Sequence, residues 1–100
     1  ITISDEVQIG FGRLGRWFWG FEMQRFTPEI VVLGKPAGNG FPLAAVLGRS
    51  HIMDSIHDAG IGSTFGASPI SCAASLGVLE AFDNENSGGF DEDDGHSDSF

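Results

Sequence analysis

The sequence predicts an α/β fold with a mixed or parallel sheet, and three observations support this class. The segment EIVVLG, residues 29–34, is a short and nearly continuous β-branched run, which is typical of a strand in a buried sheet. ITIS at 1–4 reads as the end of an earlier strand, and PLAAVLGR at 42–49 as the next strand. The pair SP at 68–69 supplies a cap and a proline for a helix that is expected to end near residue 82. Strands joined by crossovers and followed by a helix favour an α/β architecture.

The segments between these elements complete the prediction. GFGRLG at 10–15 predicts a glycine-shaped turn, and the aromatic run at 16–26 predicts a helical or irregular segment packed on a core. Ser50 is expected to cap a short helix over 51–57, with a loop over 58–67. Three strands and two helices cannot cover both faces of such a sheet, so the architecture is expected to be incomplete.

Composition and charge exclude several classes of function. The chain has 100 residues, of which 41% are hydrophobic, enough for one small domain. No apolar stretch reaches the roughly 18 to 20 residues of a membrane helix, and no basic stripe favours nucleic acid. The net charge is -9, and residues 84–100 hold six acids and no base, which predicts an acidic disordered tail after a body at 1–83. The single cysteine, Cys72, excludes an internal disulfide and is expected in the core of the last helix.

Lys35, the only lysine in the chain, is the strongest candidate for chemistry. It directly follows the predicted strand at 29–34, at the end where α/β sheets bind ligands. Gly34, Pro36, Gly38 and Gly40 flank it and allow a ligand to approach closely. The ordinary interpretation is a solvated loop lysine. The functional interpretation is a nucleophilic amine that forms a Schiff base with a carbonyl cofactor.

Asp5 follows the first predicted strand and has two interpretations. The ordinary one is a turn or helix cap. The functional one pairs it with Lys35, because a pyridoxal phosphate site needs a Schiff-base lysine and an acid at the pyridinium nitrogen. Two adjacent strands ending in Asp5 and Lys35 would place both groups over one pocket.

Two glycine motifs predict turns and not nucleotide sites. GFGRLG has the G-x-G-x-x-G spacing, but DEVQ separates it from the strand and Glu29 precedes the next strand instead of ending it. GKPAGNG has Pro36 where a P-loop has its magnesium-binding hydroxyl residue. His51 and His57 lack metal-ligand spacing, so no metal site is predicted and both are expected at the surface. The hydroxyls and backbone N–H groups of STFGASP, residues 63–69, suit a phosphate near a helix start.

Three blocks of the chain resemble successive segments of the class III (subgroup II) pyridoxal-phosphate-dependent aminotransferases. The blocks are DEVQIGFGRLGRWFWGFE, PEIVVLGKPAGNGFPLAAVLG and GSTFGASPISCAASLGVLE, in the family's order over residues 1–82. FGRLG, FWGF and GNGFPLAAV resemble the alanine–glyoxylate aminotransferase 2 branch, and GKPAGNG equally resembles the neighbouring ethanolamine-phosphate phospho-lyases. The resemblance implies that residues 1–83 are part of the large domain of a fold type I transferase.

The resemblance also implies a cofactor, pyridoxal 5'-phosphate, and assigns residues to it. Asp5 would bind the pyridinium nitrogen, Val7 would stack on the ring face, and Gln8 would reach the ring hydroxyl. Lys35 would form the Schiff base. Thr64 would bind the cofactor phosphate of the neighbouring subunit, which implies a homodimer with its active site at the interface.

The implied function is transfer of an amino group from an amino acid to a keto acid or aldehyde. A phospho-lyase of the same family and a non-catalytic remnant that acts as an interaction module are the alternatives. The family chain is several times longer, and its other parts supply the second phosphate loop, the aromatic over the ring and the arginine for the substrate carboxylate. We therefore expect a central fragment that is inactive alone, from a mitochondrial or cytoplasmic protein. Ala67 and Ser68 depart from the family's usual Gly and Asn.

Overall fold

A mixed three-stranded sheet forms the centre of the computed structural model, which describes residues 1–57 and 59–85. The strands, in spatial order, are β1 (Ile3–Asp5), β2 (Ile30–Leu33) and β3 (Ala45–Gly48). β1 pairs with β2 in parallel, and β2 pairs with β3 antiparallel. The predicted α/β class with a mixed sheet is therefore confirmed, and all three predicted strands are present.

Helices and 3₁₀ helices connect and flank the strands. They are the 3₁₀ helices Gly20–Gln24, Lys35–Gly38 and Asp54–Ile56, and the α-helices α1 (Ser50–Met53) and α2 (Pro69–Glu85). The prediction that Ser50 caps the short helix is wrong. The carbonyl of Arg49 already accepts the N–H groups of Ile52 and Met53, both at 2.9 Å, so the helix begins one residue earlier and Ser50 lies inside it.

α2 begins at Pro69, as predicted, and extends to Glu85. The carbonyl of Ser68 accepts the N–H of Cys72 at 2.9 Å, which places Ser68 at the cap position. The helix thus includes the first two residues of the segment 84–100 assigned to the tail. Residues 86–100 lie outside the described residues, so the disordered tail stays a prediction.

The core lies on one face of β2. Val31 and Leu33 are buried there against Trp19, Phe21 and Ala37. The side chains of β2 alternate between buried and half-buried, because the described elements pack against one face of the strand and leave the other face partly open. The expected incomplete coverage of the sheet is therefore confirmed for the described residues.

An aromatic cluster joins the segment between β1 and β2 to α2. The ring of Phe18 lies 4.9 Å from the ring of Phe11 and 5.2 Å from that of Phe82 near the end of α2. The Phe18 and Trp19 rings are also 4.9 Å apart, edge to face. The predicted packing of the aromatic run on the core is confirmed.

α2 presents small residues to the rest of the protein. Ser71 is buried, and Ala74, Ser75 and Val78 are half-buried on the same face, where the helix packs against the 3₁₀ helix Lys35–Gly38. Cys72 is exposed, so its predicted place in the core is wrong: the helix phase turns its neighbour Ser71 inward instead. No helix in the part of the chain that the structure describes has the length and apolar character of a bilayer-spanning segment.

We predict that Ala67→Gly stabilises the protein by about 0.5–1 kcal/mol. Ala67 adopts φ 57°, a left-handed conformation that is unfavourable for a residue with a Cβ and acceptable for glycine. The measurement is the free energy of unfolding in urea. The matched control is Ala73→Gly, an exposed change inside α2, which should destabilise by about 1 kcal/mol. Equal effects of the two changes would contradict the interpretation.

Candidate active site

The carboxyl ends of β1 and β2 form one edge of the sheet. Asp5 is the last residue of β1 and pairs with Val32, while Lys35 follows the end of β2 after a single glycine, Gly34. Because the two strands are parallel neighbours, their carboxyl ends lie side by side, at the edge where open α/β sheets bind ligands. The predicted adjacency of the Asp5 and Lys35 strands is confirmed.

Asp5 has an exposed carboxylate held by a local turn. Its Oδ1 accepts the backbone N–H of Val7 at 3.1 Å. This is the turn-capping role of the ordinary interpretation. The same hydrogen bond fixes the direction of the carboxylate at the end of β1, so the two interpretations are compatible.

Val7 and Gln8 follow on the same segment. Val7 is half-buried and packs beside the end of β2, since a Cβ added at Gly34 would lie 3.4 Å from its Cγ1. Glycine at 34 therefore lets the strand end lie against the valine side chain. Gln8 is exposed at the surface.

Lys35 has an unusual backbone conformation. Its φ is 28°, in the region that side-chain-bearing residues rarely adopt, and it begins the 3₁₀ helix Lys35–Gly38. Such strain occurs preferentially at functional sites. Lys35 is exposed and also lines an open cleft of about 1090 Å³ between this 3₁₀ helix and α2. Arg13 lines the same cleft.

Thr64 lies on a different segment from the Asp5–Lys35 edge. It is exposed in the loop that precedes α2. Ala67, also in this loop, turns the chain towards α2 with its left-handed conformation. The structure thus brings Asp5, Val7 and Lys35 to one edge of the sheet, with Thr64 at the approach to the helix.

The motif GFGRLG forms a turn, as predicted. Gly12 and Gly15 have φ values of 71° and 82°, which favour glycine, and the next helical residue is Gly20. His51 and His57 are exposed, as predicted. Within residues 1–57 and 59–85, no group of three or more His, Cys, Asp or Glu side chains is placed to hold a metal ion.

Glu6 is the residue that sequence reasoning missed. It lies between Asp5 and Val7 and is 1% exposed. Its Oε2 accepts the Ser4 hydroxyl at 2.7 Å, and its Oε1 accepts the Gly20 N–H at 2.5 Å. Alternation along the strand was the available signal, because an edge formed by Asp5 and Val7 turns the residue between them inward.

A second buried carboxylate, Glu22, lies in the 3₁₀ helix Gly20–Gln24. It is 6% exposed, and its Oε1 accepts the backbone N–H of Trp19 at 2.9 Å. This is the backward-reaching acidic half of a capping box. Two buried carboxylates therefore accept backbone N–H groups at the start of this 3₁₀ helix: Glu22 from within the helix and Glu6 from the end of β1.

The fold is an α/β domain with an acid at the carboxyl end of one strand and a lysine just beyond the end of its parallel neighbour. The family described as aminotransferase class-III matches residues 1–88. This match covers most of the chain, so the protein belongs to the class III aminotransferases, whose members use pyridoxal phosphate. The fold is that of part of the large domain of a fold type I transferase.

Three similar proteins show how much of the family the chain represents. It is 46% identical to human mitochondrial alanine–glyoxylate aminotransferase 2, covering 86% of this chain and 17% of the relative. It is 44% identical to ethanolamine-phosphate phospho-lyase homolog 1 of Caenorhabditis elegans, covering 86% and 19%. The ornithine aminotransferase of Toxoplasma gondii, whose active site is partially occupied by pyridoxal phosphate, superposes with a TM-score of 0.75 at 37% identity, covering 83% and 20%. The chain therefore spans about a fifth of the length of these relatives.

We predict that Gly10→Ala destabilises the turn behind the site by about 1–3 kcal/mol. An added Cβ at this buried glycine would lie 3.0 Å from the carbonyl oxygen of Glu6 and 3.1 Å from its Cβ, and that backbone cannot move without moving the site. The free energy of unfolding in urea measures the effect. Gly62→Ala is the matched control, because nothing lies within 4 Å of an added Cβ there, and it should change stability by less than about 0.5 kcal/mol. A Gly10→Ala protein as stable as the control would show that the turn accommodates a side chain.

Proposed function

We propose that this chain carries the lysine-bearing half of a pyridoxal phosphate site and belongs to a transaminase. The observation that carries the proposal is the position of Asp5 and Lys35 at the carboxyl ends of adjacent parallel strands. An acid and a primary amine at one ligand-binding edge are the two groups that pyridoxal phosphate chemistry requires. Family membership and the human relative, an alanine–glyoxylate aminotransferase, support amino-group transfer.

The residues present fit the cofactor. Val7 lies beside the strand end at Gly34, where an added Cβ would lie 3.4 Å from its Cγ1, so an apolar side chain borders the edge. Asp5 is exposed and directed by the Val7 N–H, which leaves its carboxylate accessible to a ring nitrogen. Lys35 is exposed at the same edge and accessible to an aldehyde.

The residues would divide the work of holding the cofactor. Lys35 would hold pyridoxal phosphate through its amine and, once displaced by the substrate, would carry the proton of the substrate's α-carbon. Asp5 would hold the protonated ring nitrogen, Val7 would pack on the ring face, and Gln8 would reach the ring hydroxyl. When bound, pyridoxal phosphate serves as the electron sink for the reaction.

Thr64 contributes to a second, identical subunit in this proposal. Its hydroxyl, in the loop before α2, binds the phosphate of the cofactor held by a partner copy. The active site is then complete only in a homodimer. The human relative is named mitochondrial, and a mitochondrial or cytoplasmic location stays a prediction for this chain.

A phospho-lyase is the second candidate function. The relative from Caenorhabditis elegans, named a homolog of ethanolamine-phosphate phospho-lyase, is 44% identical over 89 residues, close to the 46% of the human aminotransferase. Asp5, Val7 and Lys35 serve both reactions equally, because both use the cofactor ring as an electron sink. The choice between them belongs to residues that contact the substrate. A non-catalytic interaction module is the third candidate.

The test of the lysine role is covalent capture of the cofactor. We expect that pyridoxal phosphate, followed by borohydride reduction, attaches a pyridoxyl group to Lys35, located by mass spectrometry of the digested chain. Lys35→Arg should abolish the attachment, because the guanidinium does not condense with an aldehyde under these conditions. The experiment is clear because Lys35 is the only lysine, which leaves the Ile1 amine as the internal reference.

Two outcomes contradict this role. A ratio of Lys35 to Ile1 labelling that is the same in the folded chain and in urea would show that the fold gives the lysine no special access to the cofactor. Equal labelling of Lys35 in wild type and in Asp5→Asn at limiting cofactor would remove Asp5 from the site. A carboxylate-to-amide change keeps the size of the side chain and removes its charge, so we expect roughly tenfold weaker capture.

We further predict that the chain with cofactor releases neither keto acid from alanine nor inorganic phosphate from phosphoethanolamine. The chain spans 17% to 19% of the two relatives, so more than four-fifths of the length of each lies outside the matched region. Coupled assays for the two products measure this. Formation of either product would contradict the expectation and would also identify the reaction.

A further inference from the structure

We propose that Glu6 is a positioning residue that fixes Asp5 and Val7 at the edge of the sheet. The inference deepens the proposed function and rests on it for the meaning of those two residues. The positioning itself does not require a bound cofactor, because one buried carboxylate determines where the two neighbouring side chains lie.

Burial alternates through the segment that forms the edge. Asp5 is exposed, Glu6 is 1% exposed, and Val7 is half-buried. At the end of a strand, consecutive side chains point to opposite sides, so Glu6 turns inward where Asp5 turns outward. The turn that begins at Val7 follows directly, and Glu6 is therefore the inward anchor between the two residues of the site.

The Glu6 carboxylate joins two separate segments. Oε2 accepts the hydroxyl of Ser4 in β1 at 2.7 Å. Oε1 accepts the N–H of Gly20, which is 14 residues later and begins the 3₁₀ helix Gly20–Gln24, at 2.5 Å. Both are short, charge-assisted hydrogen bonds, the stronger kind in proteins. They hold the end of β1 against the aromatic segment that covers the core.

The backbone of Glu6 is fixed as well. Its N–H donates to the carbonyl of Val32 in β2 at 2.8 Å, and its carbonyl accepts the N–H of Gly10 at 3.0 Å. One residue thus links β1, β2, the glycine turn and the 3₁₀ helix. Asp5 and Val7 are covalently attached on either side, so a shift of Glu6 moves both.

A carboxylate suits the two donors, and its charge strengthens both hydrogen bonds. Ser4 and Gly20 each bring a hydrogen to Glu6, and a carboxylate accepts on both oxygens. Glutamine has the same shape; its oxygen accepts the Gly20 N–H, and its NH₂ group donates to the Ser4 hydroxyl once that hydroxyl rotates. Glu6→Gln therefore removes the charge that strengthens both bonds and changes the volume very little.

The test measures local structure in the ¹⁵N-labelled 100-residue chain by nuclear magnetic resonance. In Glu6→Gln we expect amide hydrogen exchange at Gly20 and Gly10 to accelerate about tenfold, the effect of losing the charge that strengthens the Glu6 hydrogen bonds. The chemical shift of the Val7 amide should move towards its value in Asp5→Ala, the variant that lacks the hydrogen bond from the Val7 N–H to Asp5. Exchange at Arg49 and Cys72, whose N–H groups donate to Glu29 and Ser68, should change less than about twofold.

Glu22→Gln is the matched control. It also neutralises a buried carboxylate that accepts a backbone N–H, here that of Trp19 within its own 3₁₀ helix. We expect it to accelerate exchange at Trp19 and to leave the Val7 shift unchanged. A Val7 chemical shift that moves equally in both variants would show that Glu6 affects Val7 no more than another buried acid does, and it would overturn the proposal.

Two other outcomes also decide the proposal. Parallel acceleration at all amides in Glu6→Gln, including Arg49 and Cys72, would show a loss of overall stability and no positioning, and would overturn it. If Glu6→Gln does not fold, Ser4→Ala decides, because it removes the bond to Oε2 and leaves the charge. A moved Val7 shift in Ser4→Ala supports the proposal, and an unmoved one overturns it.

Borohydride capture separates this inference from the proposed function. If Glu6→Gln moves Val7 and lowers capture of pyridoxal phosphate at Lys35 while Glu22→Gln does not, both stand. If Val7 moves but wild-type Lys35 captures no cofactor, the positioning role stands and the proposed function fails. If Lys35 captures cofactor and Val7 is unmoved in Glu6→Gln, the proposed function stands and the positioning role fails.

Discussion

The parallel pairing of β1 with β2 is the constraint on which the candidate site depends. It brings Asp5 and Leu33, the ends of two strands that are separated in sequence by residues 6–29, to one edge of the sheet. Parallel strands require a crossover connection, which is usually an α-helix. Here the crossover contains one short 3₁₀ helix and a glycine turn, so regular hydrogen bonding supplies little of its order. Side-chain interactions must hold this segment in place.

Two buried carboxylates and an aromatic cluster supply that order. Glu6 and Glu22 accept backbone N–H groups at the start of the 3₁₀ helix Gly20–Gln24, and the rings of Phe11, Phe18 and Trp19 pack around it. A buried carboxylate that loses its donors costs several times what a formed neutral hydrogen bond contributes, since the charge is left without solvent. The carboxylates therefore act mainly by excluding other arrangements of the crossover. The aromatic rings provide apolar burial that favours a compact segment.

The sequence predicted the strands and the long helix well, but it predicted poorly where a short helix begins and which face a residue occupies. The run EIVVLG and the pair at 68–69 carry strong signals, because β-branched continuity and a cap followed by proline act within a few residues. Ser50 was placed one position too early in its helix, since a serine is accepted both at a cap and just inside it. Cys72 was placed on the buried face in place of its neighbour Ser71, since both side chains are small enough for either face. Glu6 was missed because an acid directly after a strand normally lies in solvent, and its burial depends on the N–H of Gly20, 14 residues away. The Asp5–Lys35 edge was predictable because it follows from strand adjacency alone.

The exposure of Asp5 and Lys35 determines what this chain does by itself. In water the interaction between unit charges about 4 Å apart is worth roughly 1 kcal/mol, and it rises several-fold when solvent is excluded. An exposed carboxylate therefore holds a ring nitrogen more weakly than one that is shielded from water. The positions of Asp5 and Lys35 are nevertheless fixed without any shielding from water, because β-pairing, the Glu6 hydrogen bonds and the left-handed backbone at Lys35 hold both residues. Position and interaction strength therefore have separate sources: this segment positions the two groups, and a surface that excludes water would strengthen their electrostatic interactions. In the proposed function the chain, which spans about a fifth of its relatives, supplies the first of these, and the described residues leave Asp5 and Lys35 exposed to water.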